Sequence, residues 1–210
     1  MKSHRSKHSS LLGNQQDKSL HYKIVMVGNS GVGKTALVEK LSGNNFSDTH
    51  IPTVGAQFTS KETIINEHKV SLELWDTAGQ EVFRSLVGLY TREANGAFLL
   101  FDITSKLSYD DIPKWLDFLK ENAPTAKIVI FGNKSDISEQ REVSETEIQK
   151  FVEENQFIYF EGSAKTGLNV NDAFERMAEI VLEGDITKKR MENKKLKVDN
   201  QNEGSQKCCL

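Results

Sequence analysis

Lys34 and Thr35 close the run Gly28-Asn29-Ser30-Gly31-Val32-Gly33-Lys34-Thr35, and residue types in that order suit gripping a chain of phosphates. Glycines let the backbone turn tightly enough for successive N–H groups to face one point as an anion nest, with the positive end of a following helix adding to the field. The candidate contacts are Ser30, Gly31, Val32, Gly33, Lys34, Thr35 and Ala36. Lys34 supplies a point charge for the β and γ phosphates, and the Thr35 hydroxyl is one ligand for Mg²⁺. The bland alternative is a Gly-rich turn between a strand and a helix.

A second group is Trp75-Asp76-Thr77-Ala78-Gly79-Gln80-Glu81. An Asp leaving the carboxyl end of a strand beside a phosphate loop suits Mg²⁺, so Asp76 is a metal candidate. The flexible Gly79 lets its N–H meet a γ-phosphate, and Gln80 would orient an attacking water. A third group is Asn133-Lys134-Ser135-Asp136, directly after an apolar strand. A carboxylate at Asp136 accepts from N1–H and the exocyclic amine of guanine, whereas adenine would face it with a lone pair. Asn133 can bridge the loop and the base edge, and the Lys134 stem can lie over the ring. Ser163-Ala164-Lys165 completes the set, with the Ala164 N–H available for the guanine carbonyl oxygen.

These groups need a scaffold that brings them to one edge. Apolar runs at Lys23–Val27, Ala97–Asp102, Lys127–Gly132 and Phe157–Glu161 predict buried parallel strands. Gln57–Ile65 and Lys69–Trp75, around an Asn66-Glu67-His68 tip, predict a hairpin that adds one antiparallel strand. Helical periods cover Lys34–Leu41, Val82–Glu93, Lys106–Asn122, Glu145–Glu154 and Val170–Glu183, with Pro113 early in the third. The fold class is α/β: a mostly parallel sheet with helices on both faces.

The 210 residues suit one domain with tails. Net charge is −3, yet both ends are basic, so the body is acidic; this argues against nucleic acid as a partner and for a tail that visits an anionic surface. No apolar stretch approaches the ~18 residues of a membrane span, and the first 20 residues lack a signal-peptide core, which predicts a cytoplasmic chain. Residues 1–20 read as a disordered extension, 21–184 as the nucleotide-binding domain, and 185–210 as a flexible basic tail.

With those motifs in hand, residues 20–184 resemble the Ras superfamily of small GTPases, and within it the Rab family. The likeness includes Thr53-Val54-Gly55-Ala56-Gln57-Phe58, the Trp75–Glu81 run and Phe98-Leu99-Leu100-Phe101-Asp102-Ile103-Thr104. It implies a three-layer P-loop fold of six strands, one antiparallel. It further implies that Phe46 stacks on guanine and that Thr53 brings its hydroxyl to Mg²⁺ and its N–H to the γ-phosphate. His50, Gln57 and Val82 stand where the family usually carries Tyr, Asp and Arg, which bears on partners and not on the nucleotide site.

The two cysteines, Cys208 and Cys209, sit beside the terminal Leu210. They form no disulfide framework, and Lys207 occupies the place a farnesylation motif needs for Cys. The pair looks like the Rab ending that takes two geranylgeranyl groups; two chains plus nearby lysines make a stable anchor where one does not. The resemblance implies a GTP/GDP switch in vesicle traffic on the cytosolic face of an intracellular membrane. Exchange factors, GTPase-activating proteins, effectors, and prenyl-transfer and membrane-extraction machinery would be its partners. Two other classes stay open: a nucleotide-locked scaffold with idle hydrolysis, and a phosphate-loop kinase that would bind adenine.

Overall fold

The computed structural model describes residues 19–44, 53, 55–77 and 84–203, excepting the side chains of 84–86 and 192–203. Phe46, His50, Gly79, Gln80, Val82, Cys208 and Cys209 lie outside the described residues. In chain order the elements are β1 (Leu20–Val27), α1 (Lys34–Leu41), β2 (Ala56–Ile65), β3 (His68–Thr77), α2 (Arg84–Thr91), β4 (Gly96–Asp102), α3 (Lys106–Asp110), α4 (Ile112–Asn122), β5 (Lys127–Asn133), α5 (Glu145–Asn155), β6 (Ile158–Glu161) and α6 (Val170–Glu203). A 3₁₀ segment, Ser135–Gln140, follows β5; its short polar sequence carries no helical period to announce it.

The strands form one sheet of six in the order β2-β3-β1-β4-β5-β6. Every neighbouring pair is parallel except β2 with β3, as the apolar runs and the hairpin predict. Alternation along the strands sorts side chains onto two cores. Ile24, Met26, Phe98 and Leu100 join the face covered by α1 and α6. Val25, Val27, Leu99 and Phe101 join the face covered by α3, α4 and α5. A sheet buried on both sides needs strands apolar at every position, which is why β4 is buried throughout. Each wholly buried Phe or Leu contributes on the order of 2 kcal/mol.

Several boundaries differ from the sequence reading, and three have a clear physical reason. The hairpin tip is the two-residue turn Asn66-Glu67, both at positive φ (48° and 66°), so His68 already belongs to β3; that turn matches the strand twist. The single helix expected over Lys106–Asn122 is two, broken at Asp111. Pro113 has no N–H to donate to the Tyr109 carbonyl and its ring crowds it, so a new helix begins with Pro113 in its first turn. Finally α6 runs 34 residues to Glu203, past the Glu183 end that its apolar spacing suggests. Ile186 still packs on the core. Beyond it the helix-forming Lys, Glu and Leu residues, with no Gly or Pro before Gly204, sustain it.

The loops after β1, β3, β4, β5 and β6 all leave the carboxyl edge of the sheet. Because β1 has β3 on one side and β4 on the other, the loop after β1 sits at the topological switch point, where such sheets bind ligands.

Candidate nucleotide site

The phosphate loop links β1 to α1 through three glycines in the left-handed φ range. Two of them are sterically fixed. A Cβ on Gly28 (φ 138°) would lie 2.2 Å from the Leu100 carbonyl oxygen, and one on Gly33 (φ 96°) would lie 2.2 Å from Asn133 Nδ2. Lys34, 5% exposed, folds back under the loop and donates from Nζ to the Gly28 and Asn29 carbonyls at 2.9 and 2.8 Å. Burial pushes its ammonium down to about 8, with the Asp76 carboxylate acting the other way. Ser30 and Gly31 face solvent, while Val32 and Ala36 are buried beneath them.

Beside the lysine, three oxygen-bearing side chains converge, from α1, from β3 and from residue 53 ahead of β2. Thr35, in the first turn of α1, donates its hydroxyl to Asp76 Oδ2 at 2.6 Å. The Thr53 hydroxyl lies 2.8 Å from Thr35 Oγ1 and 3.5 Å from Asp76 Oδ2. Asp76 Oδ1 is buried and has no hydrogen-bond partner. Burial pushes the Asp76 carboxyl up, opposed by Thr35, Lys34 and Thr53. Two hydroxyls and a carboxylate with an orphaned oxygen are the hard donors Mg²⁺ takes. The residues present therefore fit the ion.

On the base side, Asn133 is held by one donor and one acceptor bond within the protein. Its Nδ2 donates to the Val32 carbonyl at 2.8 Å, and its Oδ1 accepts from the Ala164 N–H at 2.9 Å. Asn133 is thus a strut between two loops, and the Ala164 amide has an acceptor within the protein. Asp136 Oδ1 accepts from Ser163 Oγ at 2.5 Å, and Ser163 Oγ in turn accepts from the Lys165 and Thr166 amides at 3.1 Å. Lys134 takes a left-handed backbone (φ 71°) and pairs with Asp102 Oδ2 at 2.5 Å. Arg141, at the end of the 3₁₀ segment, pairs with Glu161 at the end of β6, clamping the Asp136 and Ser163 loops together.

The Ras family model matches residues 23–183, the whole of the sheet apart from the first three residues of β1. Related chains are Ras-related protein Rab-13 of Bos taurus, 38% identical over 77% of this chain and 80% of that one, and Ras-related protein Rab-15 of Homo sapiens, 35% identical over 86% and 84%. Ras-related protein Rab-2B of Dictyostelium discoideum is 40% identical over 77% and 80%. The chain belongs to the Rab group of the Ras family.

This Rab-family chain also carries an aromatic cluster beside the site. Phe58 on β2 is 53% exposed and meets Trp75 on β3 edge-to-face at 5.5 Å. Trp75 stacks on Tyr90 of α2 at 5.7 Å, with Lys23 Nζ 5.1 Å from its ring. Gln57, next along β2, is exposed opposite Asp76 in the strand register. Phe58 and Trp75 each lie in a run that carries the family likeness, but no local pattern says that they meet Tyr90. Among the described residues, no helix is long and apolar enough to cross a membrane.

Proposed function

We propose that this chain hydrolyses GTP to GDP and phosphate and uses the change to switch partners on a membrane engaged in vesicle traffic. The observation that carries the reading is the convergence of Lys34, Thr35, Thr53 and Asp76 beneath a glycine-shaped loop. Lys34 is placed to neutralise β and γ phosphate oxygens, and Gln80 holds the water that attacks the γ-phosphorus as its bond to the bridging oxygen breaks. Mg²⁺, held by Thr35, Thr53 and Asp76, would offset further phosphate charge. Asp136 reads guanine, with Asn133, Lys134, Ser163, Ala164 and Lys165 building the pocket and Phe46 stacking on the base. No side chain forms a covalent intermediate.

Thr53 and Gly79 anchor their loops on the γ-phosphate, so hydrolysis releases both. Phe58 and Trp75 adjoin these segments in sequence and, with Tyr90, would form the surface on which effectors, exchange factors and activating proteins sense the change. Cys208 and Cys209 would carry prenyl groups that attach the chain reversibly to a cytosolic membrane face.

Single-turnover hydrolysis tests the enzyme. Gln80→Leu should slow phosphate release severalfold or more at unchanged GTP affinity; an equal rate would favour the nucleotide-locked scaffold. Recovery of ATP from the purified chain would contradict the role given to Asp136.

A further inference from the structure

We propose that Asn29 is a positioning residue that straps the phosphate loop to the break between α3 and α4, and so sets how long a guanine nucleotide is held; this rests on the nucleotide-binding reading above. Asn29 Nδ2 donates to Asp111 Oδ2 at 2.8 Å. Trp115 Nε1 donates to Asn29 Oδ1 at 2.7 Å. The two contacts are chemically complementary: an indole N–H only donates and a carboxylate only accepts, so one carboxamide orientation satisfies both.

Both anchors are buried. Trp115 is 2% and Asp111 7% exposed, and Asp111 is further held by Lys114 at 2.5 Å. The break that presents Asp111 follows from Pro113. Gly28 and Gly33 fix the ends of the loop, whereas at its tip Gly31 takes positive φ and a Cβ there would meet nothing within 4 Å. The strap reaches the phosphate site through one atom. The Asn29 carbonyl is an acceptor for Lys34 Nζ, so fixing the Asn29 side chain fixes one of the two carbonyls that aim the ammonium. Asn29 touches no phosphate in this scheme; it acts through Lys34.

The test is stopped-flow release of a fluorescent GDP analogue from the full chain with Mg²⁺. Asn29→Asp sets a carboxylate against Asp111 and should speed release about tenfold or more. The swap Asn29→Asp with Asp111→Asn restores the pattern, because the new carboxylate accepts from both Trp115 and the new amide. Release should then return to within about threefold of the parent. A general loss of packing would not be reversed by the swap. Unchanged release in Asn29→Asp, or a swap as fast as the single variant, removes the strap while leaving nucleotide binding intact. A parent chain that takes up no GDP defeats the functional reading and the strap together. If Asn29→Asp does not fold, Asn29→Ala serves, with release again expected to rise. Without any variant, the Trp115 indole proton in the GDP-bound protein should exchange slowly with solvent; free exchange overturns the strap.

Discussion

Ser163 Oγ donates to Asp136 Oδ1 at 2.5 Å across 27 positions of sequence. The Asp136 carboxylate, which we propose reads guanine, is thus oriented by a neighbouring loop through one of its oxygens. Preorganisation of this kind reduces the ordering cost of binding.

Asp136→Asn should weaken GDP by about a hundredfold or more, because the new amide presents a donor to guanine N1–H, and should raise affinity for xanthosine diphosphate. Competition between the two nucleotides measures it. Ser163→Ala should cost only about tenfold, since it removes the orienting bond and leaves the carboxylate in place.

The cation corner predicts a separable effect. Thr35→Ala removes a hydroxyl that bonds Asp76 at 2.6 Å, so the tightening of GDP binding by magnesium should fall by about tenfold or more, while affinity measured with a chelator present changes little. Equal losses with and without magnesium would assign Thr35 to packing instead.

Gly33→Ala should damage the loop and the fold together. Its Cβ would stand 2.2 Å from Asn133 Nδ2 on a backbone at φ 96°, breaking the Asn133–Val32 strut. Left-handed strain alone costs about 1–2 kcal/mol. A drop in thermal midpoint of about 3–8 °C is the expected reading for a chain of this size.

Burial lowers Lys34 to about 8 in the nucleotide-free protein, whereas a bound phosphate chain favours the ammonium. Binding must then take up a proton above pH ~8, and GDP affinity should fall by up to about tenfold per pH unit there. Calorimetry in buffers of different ionisation enthalpy reads the proton directly. The free fold has the opposite dependence. Between about 8 and the ordinary lysine value of 10.5 the unfolded chain keeps a proton that the native Lys34 has lost, so this residue's contribution to stability rises with pH.

Much of the site was legible because its chemistry is contiguous. The Gly28–Thr35 run, the Asn133–Asp136 run and the Ser163–Lys165 run each lie at the carboxyl end of an apolar strand, and strand ends are visible in local hydropathy. The sheet was legible for the same reason: β4 and β5 are apolar throughout or nearly so. Helix ends were less so. The split at Asp111 depends on what a proline does to a carbonyl four residues back, and the reach of α6 depends on propensity, since residues 187–191 are already exposed.

By itself, then, the chain's order of residues determined which groups can grip phosphate, cation and base, because those groups need only short spacings and a strand to carry them. Only the tertiary structure decided how they are aimed. Asn133 reaches Val32 across 101 positions, and Asn29 meets Trp115 across 86 and Asp111 across 82. No local pattern encodes such pairs; they exist because a buried donor or acceptor must find a partner, and folding chooses which one lies within reach.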